Sequence, residues 1–177
     1  MQTHGRGYSL IELLTIISIL AMLLMAASPL LKNVDENRQV SQIFEMLRLI
    51  ETARSAAIGT GRIITLCGSS DGISCTKNWK SATVLIFDDQ DNNHQLGSRE
   101  KTLYRAQMPN GEWHWHGSNK PYLRFRSDGT SIEWGHFTLC PIGKKNNYAS
   151  QITLNFVGRP YAKRLSKQEL EANDLCN

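Results

Sequence analysis

Glu12 is the residue whose position most directly suggests chemistry. It stands at the head of a membrane-length apolar run, because the residues from Leu13 to Leu31 carry no charge. A charged side chain inside such a segment costs about 2.5–3.5 kcal/mol on insertion scales and is usually kept because a partner needs it. The sequence therefore predicts that Glu12 serves a contact with another molecule. The alternative is an ordinary signal anchor in which this carboxylate is incidental.

Four cysteines, Cys67, Cys75, Cys140 and Cys176, all follow the apolar run. An exported compartment favours disulfides, and four cysteines allow three pairings. We favour Cys67 with Cys75, which closes a short loop of Gly, Ser and Asp, and Cys140 with Cys176, which ties the C-terminal segment to the domain. The competing interpretation is a zinc site. We expect no metal there, because the sequence has no C-x-x-C motif and its histidines lack ligand spacing relative to the cysteines.

An acidic segment contains Asp89, Asp91 and Asn93 at alternate positions, with Glu100 eleven residues after Asp89. This spacing reproduces part of a calcium-binding loop, although His94 stands where such a loop requires glycine. The alternative is a polar turn between two strands, in which Asp and Asn bond the backbone of the turn. We favour the turn.

The segment Trp113-His114-Trp115-His116 alternates aromatic and imidazole side chains. On a strand, alternate residues face opposite sides, so both tryptophans share one face and both histidines the other. An exposed tryptophan pair could stack on bases or dock a partner. We expect buried tryptophans and exposed histidines, because large aromatic side chains dominate small cores.

Basic residues are concentrated in the last part of a chain whose net charge is +4. A mildly basic protein can contact nucleic acid or anionic lipid, but the net charge alone does not argue for either. From residue 143 to residue 177, the cations are Lys144, Lys145, Arg159, Lys163, Arg164 and Lys167, and the acids are Glu169, Glu171 and Asp174. A solvated surface segment explains this pattern slightly better than DNA binding, because the acids follow the cations directly.

No arrangement of nucleophile and base is recognisable in the sequence. It contains neither a P-loop nor a glycine-rich dinucleotide motif, and no motif assembles Ser, His and Asp. We therefore expect no enzyme activity, no catalytic residue and no cofactor.

The elements that would position these residues begin with one long helix from Tyr8 to about Ile58. After Pro29 the apolar residues recur at three- and four-residue spacing, which predicts an amphipathic second half. The predicted apolar face consists of Val40, Ile43, Phe44, Leu47, Ile50, Ala53, Ala57 and Ile58, and much of the other face of Arg38, Gln42, Glu45, Arg48 and Glu51. Gly59-Thr60-Gly61 should end the helix, because glycine is the favoured residue after a helix.

Short β-rich segments separated by Asp, Asn and Gly follow the helix and predict an α+β fold with an antiparallel β-rich domain. The predicted strands are Ile63–Cys67, Ala82–Asp88, Lys101–Arg105, His114–His116, Tyr122–Arg126, His136–Cys140 and Gln151–Phe156.

The N-terminal residues resemble the class III signal of type IV pilins and type II secretion pseudopilins. Gly7, the aromatic Tyr8 and then Leu10, Ile11 and Glu12 match that signal in order. The resemblance implies that a prepilin peptidase cleaves the leader after Gly7 and that the new N-terminus at Tyr8 is N-methylated. It also implies that Glu12 pairs with the N-terminal amine of a neighbouring subunit.

The rest of the chain resembles the GspH/FimT family of minor pilins and pseudopilins. The matching segments are Ala53 to Ala57, Trp79 before a strand that leads into Asp88 to Asn92, Leu103 to Arg105, Phe125 to Gly129, Phe137 to Cys140 and Asn155 to Arg159. Pro29 falls where many pilins have a helix-kinking proline. Relatives implicated in DNA uptake carry Gly-Arg-x-Arg near the C-terminus, and here Gly158 and Arg159 match while Tyr161 replaces the second arginine.

The resemblance implies a pilin-like α+β architecture in four parts. Residues 1–7 are a cleaved leader, residues 8–31 a transmembrane and assembly half-helix, residues 32–58 an amphipathic half-helix, and residues 59–177 a periplasmic β-rich domain. The implied function is to prime or cap a type IV pilus or a type II secretion pseudopilus. Its partners are then the peptidase, other pilins and inner-membrane lipid, with the N-terminus cytoplasmic. The alternative is a filament-tip module that binds DNA.

Overall fold

The architecture is that of a computed structural model, which describes residues 9–79, 83–140, 149–173 and 175–176, without the side chains of residues 26–36 and 172. The chain divides into two compact units whose boundary lies between Arg38 and Gln39. In the described residues, an N-terminal helix is followed by eight strands in two antiparallel sheets and a short C-terminal helix. The α+β fold with an antiparallel β-rich domain, predicted from the sequence, is confirmed.

Helix α1 spans Leu10–Thr60. The carbonyl of Ser9 accepts hydrogen bonds from the amides of Glu12 and Leu13 at 3.0 and 3.2 Å. The helix ends where Gly61 adopts a φ of +68° and donates its amide to the Ala57 carbonyl at 3.0 Å. A left-handed residue that is usually glycine is a common helix ending, so the predicted stop is confirmed. Among the described residues, no helix reaches both the length and the hydropathy expected of a membrane span.

The first sheet has the strand order β3-β2-β1-β5 and the second the order β4-β6-β7-β8. The first contains β1 (Ile64–Ser69), β2 (Thr83–Asp88), β3 (Thr102–Gln107) and β5 (Tyr122–Phe125). The second contains β4 (Glu112–Gly117), β6 (Gly135–Cys140), β7 (Ala149–Leu154) and β8 (Pro160–Leu165). Helix α2 spans Lys167–Asn173.

The second unit is built around a large hydrophobic core to which α1 and both sheets contribute. Ile50, Ala53 and Ala57 of α1 are fully buried, at the three- and four-residue spacing that the sequence predicts. Four helix positions differ from the prediction. Gln42, predicted on the polar face, is buried. Val40, Phe44 and Ile58, predicted on the apolar face, are exposed.

Phe137 on β6 is the centre of an aromatic cluster in this core. Its ring lies 4.9 Å from that of Trp79, 6.4 Å from that of Trp113 and 4.6 Å from that of Trp115, measured between centroids. Trp113 donates its indole N–H to the Pro109 carbonyl at 2.9 Å, which satisfies its polar atom inside the core. Three of the four tryptophans therefore pack around Phe137, two of them from the neighbouring strand β4 of the same sheet.

A carboxylate covers the outer edge of β5. Glu133 accepts the backbone amide of Arg124 at 2.8 Å through Oε2, and the Nε and Nη2 atoms of the same arginine at 2.9 and 2.6 Å through Oε1. The amide of Ile132 donates to the Arg124 carbonyl at 2.9 Å. The segment before β6 thus satisfies backbone groups that an edge strand would otherwise leave open.

Strand β8 and helix α2 were not predicted, because the sequence around them was read as a basic surface segment. Strand β8 lacks a clear apolar alternation, since Leu165 is its one fully buried residue. Helix α2 did have a signal. Ser166 Oγ accepts the Glu169 amide at 3.3 Å, and Glu169 Oε2 accepts the Ser166 amide at 2.8 Å. This reciprocal pair is the S-x-x-E capping box that can be read from sequence.

Candidate interaction surfaces

Glu12 lies in the first turn of α1, exposed and surrounded by exposed apolar side chains. The positive end of the helix dipole favours an acid at this position, so the carboxylate has a local stabilising role as well. The large apolar side chains around it are not covered by any described part of the chain. They are Leu10, Ile11, Leu13, Leu14, Ile16, Ile17, Ile19, Leu20, Met22, Leu23, Leu24 and Met25, all more than two-fifths exposed.

Several predicted positions fall outside the described residues. These are Gly7 and Tyr8 at the predicted cleavage point, and Lys144 and Lys145 in the basic segment. Pro29 lies within the span of α1, but its side chain is not among those described. The processing site and these two lysines therefore stay predictions.

Both predicted disulfides are present. Cys67 is bonded to Cys75 and Cys140 to Cys176, with Cα atoms 5.6 and 5.8 Å apart. The first bond closes the loop after β1, and the second fastens the segment after α2 to the end of β6. None of the four cysteines is left as a thiol, as the described part of the chain shows.

Three carboxylates of the acidic segment come together after β2. One oxygen from each of Asp89, Asp91 and Glu100 lies within 4.8 Å of the others. Glu100 already accepts the Gln90 amide at 2.9 Å and the Gly97 amide at 2.8 Å. Loop amides thus engage the acids as the polar-turn interpretation predicts.

His94 holds the same turn in a strained backbone conformation. Its φ is +63°, the left-handed region that glycine adopts most easily, which agrees with its place at the glycine position of the loop pattern. Its Nδ1 lies 2.9 Å from Asp89 Oδ2, and its ring centroid lies 3.9 Å from that of Tyr122. Asp89 also accepts the Thr65 hydroxyl at 3.0 Å. These contacts hold the imidazole over the first sheet.

The histidines of β4 and β6 form a row on the outer face of the second sheet. The ring centroids of His114 and His116 lie 6.2 Å apart, and those of His116 and His136 lie 5.1 Å apart. The prediction that His114 and His116 are exposed is wrong, because both are half-buried. For His116 the cause is the C-terminal segment, since its ring contacts the Leu175 carbonyl through Nε2 at 3.0 Å.

Burial lowers the pKa of His136 below its usual 6.5, and the neighbouring His116 and Lys163 lower it further. The folded state therefore binds a proton at this site less readily than the unfolded chain does. Because the unfolded chain takes up this proton more readily, His136 lowers the stability of the folded state as the pH falls through the ordinary histidine pKa. Mild acid should accordingly weaken the second unit.

The predicted DNA-binding cations are placed on different surfaces. Arg159 is exposed in the turn before β8, while Lys163 and Arg164 are neighbours on that strand and so point to opposite faces. Lys163 Nζ lies 3.5 Å from Glu169 Oε1. The structure therefore brings Lys163 to an acid and separates it from Arg164.

Gly158 of the partial Gly-Arg-x-Arg match has a packing role. Its φ is +78°, and a Cβ atom there would lie 2.1 Å from the carbonyl oxygen of Gly129. Backbone atoms cannot give way as a flexible side chain can. The glycine of this motif is therefore explained by the close approach of two turns.

An exposed aromatic groove, which the sequence analysis did not identify, lies at one end of the second sheet. Trp134 and Phe156 form it, with ring centroids 6.3 Å apart and planes inclined by 54°. They are 54% and 60% exposed and border a cavity of about 580 Å³. Neither residue belongs to a periodic pattern. They meet because β6 and β7 are paired with Gly135 opposite Leu154.

Comparison with a family model relates most of the second unit to known proteins. Residues 43–158 match the model of the family described as type II transport protein GspH. This segment includes residues 43–60 of α1, strands β1 to β7 and the aromatic groove. No curated protein matches the chain.

Solved structures of one protein have a similar fold. A crystal structure of the type IV minor pilin FimU of Pseudomonas aeruginosa, strain PAO1, in space group P21 gives a TM-score of 0.52 at 18% identity. The match covers 73% of this chain and 90% of that chain. A second crystal form, in space group P65, gives a TM-score of 0.48 at 19% identity, with coverage of 70% and 90%.

Proposed function

This chain belongs to the GspH family of minor pilins and pseudopilins, and on that premise we propose that it primes or caps the assembly of a filament. The filament is either a type IV pilus or a type II secretion pseudopilus. The family consists of structural pilins rather than enzymes, and its members in general are membrane-anchored with a periplasmic domain. The residues of this chain support the more specific role in priming or capping.

The observation that carries the proposal is the uncovered apolar surface of α1. From Leu10 to Met25 every large apolar side chain is exposed, on all sides of the helix. A helix that is apolar all round is stable where a bilayer or other helices surround it. Membrane anchoring before assembly and a bundle of like helices after it provide these two environments in turn.

Glu12 determines how this apolar surface aligns with a neighbouring subunit. In the proposed sequence of events, a prepilin peptidase removes residues 1–7 after Gly7, the amine of Tyr8 is methylated, and the N-terminus stays on the cytoplasmic side. The carboxylate of Glu12 then pairs with the terminal amine of a neighbouring subunit. An unpaired charge in the bilayer is costly and a pair is tolerable, so pairing selects the register of the incoming subunit. Pro29 would supply the bend that such helices commonly have.

Glu12→Ala is expected to remove the protein from filaments while leaving the leader cleaved. Without the Glu12 carboxylate, the terminal amine of the neighbouring subunit stays unpaired in the bilayer. An unpaired charge there costs about 2.5–3.5 kcal/mol on insertion scales, which corresponds to roughly a hundredfold fall in incorporation. The measurement is the amount of chain in sheared or purified filaments relative to membranes, with the N-terminus read by mass spectrometry.

Two controls separate the steps. Glu45→Ala makes the same change at an exposed position of the same helix, and we expect unchanged incorporation. Gly7→Leu should block both cleavage and incorporation, because the bulky side chain replaces the small residue at the cut. Normal filament levels of Glu12→Ala would contradict the proposed pairing.

DNA binding through the C-terminal segment is the second candidate function. The observation that favours it is that Arg159, Lys163 and Arg164 are all exposed. Against it stand the contact of Lys163 with Glu169 and the opposite orientation of Lys163 and Arg164. If the candidate is correct, the binding is weak and insensitive to DNA sequence, because it consists of phosphate contacts.

Under this second function, the affinity of the full-length protein for duplex DNA should fall with salt at a log–log slope of about 0.9 per cation engaged. The double variant Arg159→Glu, Arg164→Glu should abolish the binding without unfolding the protein, because exposed charges contribute little stability. The control variant Arg99→Glu, Lys101→Glu makes the same change of charge at exposed positions elsewhere. A flat anisotropy titration of the wild-type protein at low salt would remove this candidate.

A further inference from the structure

We propose that the aromatic groove of Trp134 and Phe156 docks an acidic segment of a neighbouring filament subunit, anchored by one large apolar side chain. The proposal rests on the proposed function, because a filament places the folded parts of neighbouring subunits side by side. Beyond that function, the proposal specifies which surface makes the contact and the chemistry of the segment that it binds.

The exposed aromatic side chains of the groove indicate a binding site for a partner. Tryptophan and phenylalanine side chains that are more than half exposed do not gain the free energy that burial away from water would provide. Such residues are concentrated among those that contribute most of the binding energy at interfaces. Val157, next to Phe156 in sequence, is also exposed, as is Tyr161, which lies opposite the lining residue Thr153 in the β7–β8 pairing. The cavity of about 580 Å³ lies within the range of sites that bind a sizeable apolar group. Burial also disfavours the charged form of His136 in the wall, because it lowers the pKa of that imidazole.

The charges around the groove select an acidic partner. The described residues that line it include no carboxylate. Arg159 is exposed in the turn that also carries Phe156. Lys163, which neighbours His136 on the same outer face, lies 3.5 Å from Glu169. Glu133, adjacent to Trp134 in sequence, is buried and holds Arg124. Among the described cations beside the groove, Arg159 therefore provides the charge that complements an apolar anchor flanked by Asp or Glu.

The geometry favours a peptide over nucleic acid. The rings of Trp134 and Phe156 are inclined by 54° at 6.3 Å, so they do not form the parallel slot into which a base would stack. Lys163 and Arg164 point to opposite faces of β8, which breaks the line of cations that a phosphate backbone would follow.

Docking through side chains is also favoured over the addition of a strand to the sheet. Strand β8 begins with Pro160 and carries Lys163 and Arg164. Proline and charged side chains are the features by which exposed sheet edges resist pairing with another strand.

The test uses the full-length protein in detergent and two fluorescein-labelled peptides, Asp-Glu-Leu-Phe-Asp-Glu and its charge-reversed counterpart Lys-Lys-Leu-Phe-Lys-Lys. The acidic peptide should bind, and Trp134→Ala and Phe156→Ala should each weaken it about tenfold or more, as expected for central aromatic anchors. Arg159→Glu should weaken the acidic peptide as well. Phe44→Ala, at an aromatic that is 65% exposed elsewhere, should change nothing.

Three results of this experiment would overturn the proposal. They are the absence of acidic-peptide binding, equal binding of the two peptides, and tighter binding of a short oligothymidylate that competes for the groove. Circular dichroism of each variant confirms folding, which exposed positions should preserve.

A second experiment separates this proposal from the proposed function. p-Benzoylphenylalanine is placed at position 134 or, as a control, at the exposed position 73 in cells that assemble the filament. Crosslinks from position 134 to an acidic segment of another filament subunit support the proposal. If the chain enters filaments but position 134 crosslinks to none of their subunits, the docking site is wrong and the proposed function stands. If the chain never enters filaments, the proposed function fails and the docking site fails with it.

Discussion

Replacement of Glu133 by alanine is expected to lower the free energy of unfolding of the second unit by about 3–5 kcal/mol. Glu133 is 4% exposed, and its two oxygens accept three hydrogen bonds from the side chain and backbone of Arg124. Removal of the acid leaves a mostly buried guanidinium that still contacts Asn92 Oδ1 at 2.7 Å and the Tyr122 ring, 5.2 Å from its centroid. Neither contact neutralises its charge. It also opens the edge of β5. The measurement is chemical denaturation followed by tryptophan fluorescence, because all four tryptophans lie in this unit.

Two further variants test whether the loss of stability comes from the buried pair of Glu133 and Arg124. Glu133→Gln keeps an acceptor for the Arg124 amide but removes the charge, so we expect an intermediate loss. Glu51→Ala breaks an ion pair of 3.8 Å with Arg54 on the surface of α1, and should cost no more than about 1 kcal/mol. If Glu133→Ala and Glu51→Ala prove equally mild, the buried pair does not have the role assigned to it.

The double variant Cys140→Ala, Cys176→Ala is expected to lose about 3–4 kcal/mol of stability. The bond closes a loop with a sequence separation of 36 residues, and the estimate follows from the chain entropy that this closure removes from the unfolded state. Leu175, which is buried beside Ala149 and Leu165, should then detach from the sheet. Denaturation curves measure the loss, and thiol labelling of the native wild-type protein should find no reactive cysteine.

The same variant has a second readout in the histidine row. His136 shares a cleft with Leu175, and its lowered pKa is caused first by burial. Release of the C-terminal segment should therefore raise the pKa of His136 toward its ordinary value, as followed by NMR. Leu175→Ala, which keeps the disulfide, is the control and should change both stability and pKa less. An unchanged pKa in the double variant would show that the segment does not cover this face.

The sequence predicts those features that depend on local pattern. The three- and four-residue spacing around Ile50 and Ala53 places the second half of α1 on the core, and Gly61 ends the helix. The disulfides follow from the short spacing of Cys67 and Cys75, which leaves Cys140 and Cys176 for each other. In each case, residues close in sequence carry the information.

The features that were missed depend on residues far apart in sequence. Nothing near Trp134 indicates that Phe156 will lie beside it, because the register of β6 with β7 brings them together. The half-burial of His116 likewise depends on Leu175. Strand β8 is stabilised by its pairing with β7 rather than by an apolar face of its own. The local sequence pattern does not predict these contacts between residues far apart in the chain.

The positions of the two disulfides along the chain also affect the order in which they can form. Cys75 follows Cys67 closely, whereas Cys140 comes 65 residues after Cys75. At a synthesis rate of about 5–20 residues per second, Cys67 and Cys75 exist without the other two cysteines for roughly 3–13 seconds. Under oxidising conditions the near pair can therefore close before a wrong partner is available. The order of synthesis thus favours one of the three pairings over the other two.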